Sequence, residues 1–356
     1  MGPASRFDIS SACLVACCVA LLRLTPALSQ EAAPTGLQQN VVFDSITPVS
    51  GNSEILRRMV TPLAVAQMQA TLARSEKVLQ PQSIDLAAEK FVVYVPPAPP
   101  PSSGYALIVF IPPWQTATLP DGWASVLDQY HAIFVSAAHS GNEEGVLNRR
   151  VPLALLAEQN IARRYPVDPQ HIYIAGFSGG ARVAMRVALG YPDIFRGALL
   201  DAGGDPIGRP EAPLPPADLF ARFQEQTHLV YVTGDQDMGN LGLAAVSARS
   251  MRDWCVFGVD AQVAPRTAHE ILDAPALFRA MNVLFQPVQP DGGRLASCRA
   301  GVRDELAANF RQVKALAAAG NTEAAEKMLL AVNNRFGGLA APDMLNLATA
   351  LKPGTL

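Results

Sequence analysis

Apolar and polar positions alternate along this chain with two different periods. Unbroken apolar runs at 91–95 (FVVYV), 106–111 (ALIVFI), 132–137, 171–175 (HIYIA), 197–200 and 229–233 (LVYVT) read as strands buried on both faces. A further strand is expected over 256–263. Helical spacing governs 151–165, 179–189, 241–254 and 274–285, and 61–79 reads as an amphipathic helix. Strands that alternate with helices specify a mostly parallel sheet with helices on both faces. Two segments break this rhythm. PPAPPPSS (96–103) cannot lie inside a strand, because proline donates no ladder hydrogen bond, and so forms an exposed connection. DPIGRPEAPLPPA (205–217) leaves the end of a strand and reads as an irregular excursion bordering a cleft.

Beyond about residue 290 the pattern is helical only. Leu306, Phe310, Val313 and Ala317 share one face, as do Ala325, Met328, Leu329 and Val332, with Gly320-Asn321 as the turn and a short last helix over 342–351. Such helices can pack on the sheet domain or take a protein partner, and packing is the expected use. Four segments follow: 1–29, 30–84 with one helix, the sheet domain 85–290, and a helical extension 291–356.

The first segment has the layout of an export signal, with Arg6 near the start, an apolar run over 12–22, and the small-residue site Ala27-Leu28-Ser29 before Gln30. Leu14-Val15-Ala16-Cys17 also resembles a lipoprotein box, which would anchor the chain through Cys17. Removing the signal leaves two of the five cysteines, Cys255 and Cys298, which can pair in an oxidising periplasmic or extracellular setting or remain separate thiols. Among the 356 residues, 49% are hydrophobic and 17% charged, enough for a sizeable core. The 28 basic residues are outnumbered by 31 acidic ones, which argues against a nucleic-acid binder. No apolar stretch approaches the ~18 residues of a membrane span.

The chemistry sits at Gly176-Phe177-Ser178-Gly179-Gly180, which fits G-x-S-x-G. About one chain in ten of this length would match that pattern by chance. Here an apolar strand runs into it and a small-residue helix leaves it, the setting of a nucleophile elbow. A serine needs a base to take its proton. Of the five histidines, His131, His171 and His228 begin strands, at the wrong end of a parallel sheet. His139 and His269 lie at the correct end, and only His269 follows Ser178 in the chain order serine, acid, histidine. The acid is expected on the turn Gly234-Asp235-Gln236-Asp237: Asp237 first, Asp235 in reserve, with Asp201 a third option. The oxyanion would be held by the N–H of Gly179 and by one from the loop Pro112-Pro113-Trp114-Gln115. The prolines have no N–H, so Trp114 is the first possible donor and Gln115 the next, while the Trp114 ring is equally suited to wall the substrate pocket or to pack in the core. Asn142, Arg149 and Arg150 form a polar cluster above the sheet, suited either to an anionic substrate group or to structural ion pairing. No cysteine or histidine spacing resembles a metal site, and no cofactor is implied.

Together these residues resemble the α/β-hydrolase superfamily over roughly 85–290. NIARRYPVDPQHIYIAGFSGGARVAMRVALGYPDIF (160–195) is similar to polyhydroxybutyrate-depolymerase-like and feruloyl-esterase-like secreted esterases, through Y-x-V-D-P before the elbow strand and Tyr-Pro-Asp-x-Phe after the helix. The resemblance implies an α/β-hydrolase fold and a small-molecule or polymeric ester as substrate. Many relatives carry His-Gly where this chain has Pro112-Pro113. A peptidase, a thioesterase or a non-catalytic binding protein on the same scaffold remains open at this level.

Overall fold

Where the apolar runs are continuous, the chain builds the centre of one sheet. In the computed structural model, which describes Gly2 and residues 34–351, the elements run as follows. Strand β1 (Gly36–Val41) is followed by helices α1 (Asn52–Met59) and α2 (Pro62–Arg74), then strands β2 (Phe91–Val95) and β3 (Tyr105–Ile111). Next come α3 (Trp123–Gln129), β4 (Ala132–Ala137), α4 (Val151–Arg164), β5 (Val167–Phe177), α5 (Gly179–Gly190), β6 (Gly197–Asp201), α6 (Ala217–Gln226) and β7 (His228–Gly234). The sheet domain closes with α7 (Met238–Asp253), β8 (Val259–Ala264) and α8 (Ala274–Leu284), before the helices α9 (Gly292–Ala318), α10 (Thr322–Phe336) and α11 (Asp343–Leu351). The export-signal and Cys17 expectations fall outside the described residues.

The eight strands form one sheet in the order β1-β2-β4-β3-β5-β6-β7-β8. β2 pairs antiparallel with both β1 and β4, and every pair from β4 to β8 is parallel. Successive side chains of a strand face opposite sides, so β3 feeds two cores. Leu107, Val109 and Ile111 join α1, α4, α5 and α7, while Ala106, Ile108 and Phe110 join α3 and α8. The extension docks on the first of these cores: Val313, Leu329, Val332, Phe336 and Met344 are buried there. A disulfide between Cys255 and Cys298 ties α9 to the turn before β8. Residues from 34 onward make one compact unit, so the boundaries expected at 85 and 291 mark changes of composition rather than separate bodies. Among the described residues no helix is long and apolar enough to cross a membrane.

Several elements differ from expectation. The segment 30–84 holds two α-helices and strand β1, not one helix, because the polar sequence GLQQNV hides an edge strand. The helix expected to reach residue 79 stops at Arg74, where Ser75 caps it and Glu76 takes a left-handed φ of 54°. β8 starts at Val259 rather than at 256, since Cys255 turns the chain with φ 65° and Val256 is buried outside the sheet.

Candidate active site

The site grows from one strained turn. β5 ends at Phe177 and α5 begins at Gly179, so Ser178 alone makes the reversal and takes φ 53° and ψ −119°. Such a conformation is costly for a side chain and persists only when the surroundings impose it. Glycines supply the room: a Cβ at Gly176 would collide with the backbone of Gly180, and one at Gly180 with the carbonyl of Ile111. The Ser178 N–H donates to the Asp201 carbonyl at 2.8 Å, which fixes the turn to the end of β6.

His269 lies on the loop between β8 and α8. Its Nε2 is 2.9 Å from Ser178 Oγ and its Nδ1 is 2.6 Å from Asp237 Oδ2. A carboxylate can only accept, so Nδ1 carries the proton and Nε2 presents its lone pair to the serine hydroxyl. Asp237 caps α7: its Oδ1 accepts the Asn240 N–H at 3.3 Å and its Oδ2 accepts Asn240 Nδ2 at 2.8 Å. Burial pushes the Asp237 carboxyl up, but the hydrogen bonds from Asn240 and His269 outweigh it and hold the group below the ordinary aspartate value.

The other carboxylates take different tasks. Asp235 Oδ1 accepts the Thr267 N–H at 3.2 Å, bracing the turn against the histidine loop rather than meeting His269. Asp201 is buried, and its Oδ2 accepts the Leu272 N–H at 3.0 Å. Burial raises its carboxyl well above the usual range, partly offset by that N–H, with the charge of Asp237 adding to the rise. Asp201 thus joins the elbow, through its carbonyl, to the histidine loop, through its carboxyl.

Aromatic rings wall the site. Phe177 lies 4.9 Å from the His269 ring and 6.1 Å from Trp114, centroid to centroid. The Asn142 side chain lies over Gly179, where a Cβ would meet it. Arg149 forks onto Glu89 at 2.7 and 2.9 Å, and Arg150 is buried on two backbone carbonyls. Both arginines of the polar cluster are therefore structural rather than aimed at an anion. His171 and His228 pair with Asp168 and Asp260, away from Ser178. Among the described residues no cluster of His, Cys, Asp or Glu could hold a metal ion. Asn240 and Asp201 are the contributions that sequence reasoning missed or undervalued. For Asn240 a signal existed: it stands three residues after the helix cap, where a capping side chain returns.

Strand order and elbow define the α/β-hydrolase fold. No family model matches the chain. Over 97 residues, 23% of this chain, it is 34% identical to a poly(3-hydroxyalkanoate) depolymerase C of Paucimonas lemoignei; the match spans 23% of that protein's length. Among solved structures, a poly(3-hydroxybutyrate) depolymerase from Bordetella parapertussis is 18% identical, covers 59% of this chain and 88% of its own, and superposes with a TM-score of 0.41. An acetyl xylan esterase from Aspergillus awamori is 12% identical over 55% of this chain and 94% of its own, with a TM-score of 0.41.

Proposed function

We propose that this chain is an exported serine hydrolase that cleaves carboxylic esters through an acyl-enzyme. The observation that carries the reading is the continuous contact from Asp237 through His269 to Ser178, at 2.6 and 2.9 Å. Ser178 Oγ attacks the ester carbonyl while His269 Nε2 takes its proton. The same proton then goes to the leaving alcohol. Water, deprotonated by His269, attacks the acyl-enzyme, and the serine is released as the acid product departs. Asp237 holds the tautomer and stabilises the imidazolium. The N–H groups of Gly179 and Trp114 receive the oxyanion, where one such donor is worth roughly 3 kcal/mol. No metal or organic cofactor enters these steps.

An ester is favoured over an amide or thioester because a curated relative, similar over 97 residues, carries the name poly(3-hydroxyalkanoate) depolymerase C. Export is supported by the Cys255–Cys298 disulfide, since such bonds persist in oxidising compartments. Residues 1–29 would then be the signal, removed from the mature protein. Pure protein should turn over p-nitrophenyl butyrate and label with a fluorophosphonate at Ser178. Ser178→Ala should lower kcat by a factor of at least ~1,000 and abolish labelling. Unchanged turnover in that variant would sink the proposal, and absent labelling of folded wild-type protein would favour a binding role. A peptide or thioester cleaved faster than any ester in a substrate panel would reassign the reaction.

A further inference from the structure

Arg150 is buried with its hydrogen bonds on chain carbonyls rather than on a carboxylate. It ends a π-helical turn (Val146–Arg150) leading into α4 and is 3% exposed. Its Nε donates to the Ser140 carbonyl and its Nη2 to the Pro112 carbonyl, both at 2.9 Å. Among the described residues no carboxylate pairs with it, whereas the adjacent Arg149 forks onto Glu89. A guanidinium loses hydration on burial, and neutral carbonyls compensate it less than a carboxylate would. Burial, with the charge of Arg186 adding and that of Glu144 partly offsetting, pulls the Arg150 guanidinium down to about 10. A residue kept in so unfavourable a setting calls for a reason in what it holds.

What it holds is the loop behind the nucleophile. Pro112 is the first residue after β3, and Ser140 stands in the loop after β4. Three carbonyls of the Pro112–Gln115 segment are tied down: Pro112 by Arg150, Pro113 by the Asn142 N–H at 3.0 Å, and Gln115 by the His139 N–H at 2.7 Å. Across a planar trans peptide the C=O and the following N–H point in opposite directions. Tying the Pro113 carbonyl towards Asn142 therefore turns the Trp114 N–H the other way. Asn142 and His139 flank Ser140, so Arg150 fixes the loop that does the tying as well as the loop that is tied. The planar fork suits this task, because its separate N–H groups reach two carbonyls on two chain segments at once.

We propose that Arg150 is a positioning residue that aims the Trp114 N–H at the oxyanion, so that it acts on kcat and leaves substrate binding nearly alone. The proposal rests on the serine-hydrolase reading, and its test separates the two. With wild-type turnover through Ser178 in hand, Arg150→Met should lower kcat for p-nitrophenyl butyrate roughly 100-fold, the size of losing one oxyanion donor, with KM within about three-fold. A trifluoromethyl ketone, whose serine adduct bears the oxyanion, should bind weaker by a similar factor. Amide exchange should quicken at residues 113–116 and 139–142 in Arg150→Met and not across the sheet. Arg58→Met is the control, since Arg58 is also buried but pairs with Glu54 and Asp193 away from the elbow; it should cost stability and not kcat. Should Arg150→Met fail to fold, Arg150→Lys decides: its single ammonium reaches one carbonyl well, and kcat should fall about ten-fold at unchanged KM. Wild-type kcat in the folded variants, or a loss confined to KM, overturns the role of Arg150. Wild-type protein without ester turnover overturns the underlying reading and this inference with it.

Discussion

Asp237 has two oxygens and two tasks, and Asn240 makes them compatible. Oδ2 faces both His269 Nδ1 and Asn240 Nδ2, while Oδ1 receives the Asn240 backbone N–H. The amide therefore steers the carboxylate from one side while the helix start steers it from below. Asn240→Ala keeps the backbone bond and removes the side-chain one. We expect kcat to fall about ten-fold with little change in melting temperature, read by steady-state kinetics beside a thermal scan; wild-type kcat would refute it. The order Ser178, Asp237, His269 was legible in the chain because sheet topology admits one histidine after the elbow. For Asn240 the chain offered only its place three residues after the cap, because its contact with the acid exists only once a helix turn brings residue 240 back over residue 237. Asp235 and Asp237 share one turn, and only the helix cap decides which faces the histidine.

At the scale of an element, α4 is buried almost throughout Val151–Ile161 and yet carries Glu158. Burial pushes that carboxyl up to about 7. Its folded value lies above its unfolded one, so the native state binds the extra proton between roughly pH 4.5 and 7, and stability falls as pH rises through that window. The loss is on the order of 3 kcal/mol once the group is ionised. Glu158→Gln should remove this slope, leaving stability like wild type near pH 4.5 and higher at pH 8, as denaturant titrations at both values would reveal. Equal slopes would refute it. The central strands were readable for the same reason that Glu158 is costly: β2, β3, β4 and β7 are buried at every position, and apolar runs tolerate that best. β1 escaped notice because an edge strand, half exposed, needs no apolar run. α6 escaped it because the five prolines of the preceding excursion mask its first turn, although Leu219, Phe220 and Phe223 carry the inward face.

Over the whole molecule, the extension is fastened by three kinds of contact. Phe336 meets Trp254 edge-on at 5.6 Å, Arg299 donates to Gln224, Glu225 and the Ala221 carbonyl on α6, and the Gly338 N–H reaches the Leu214 carbonyl of the proline-rich excursion at 2.7 Å. That excursion therefore lies between the sheet domain and the extension, which explains why it needs no regular structure of its own. The Cys255–Cys298 bond closes the connection over a sequence separation of 43. In the chain-entropy picture a loop of that length contributes about 4 kcal/mol by restricting the unfolded chain. Cys255 precedes β8, at the edge of the parallel sheet opposite to Ser178, so the bond is remote from the reacting atoms. Cys298→Ser, or reduction of the wild type, should lower the melting temperature by roughly 10 °C, while kcat at 25 °C stays within about two-fold. A fall in kcat matching the fall in stability would mean that the extension shapes the catalytic edge as well as the core. An unchanged melting temperature would mean that packing at Phe336, Val332 and Val313 already suffices to hold α9 in place.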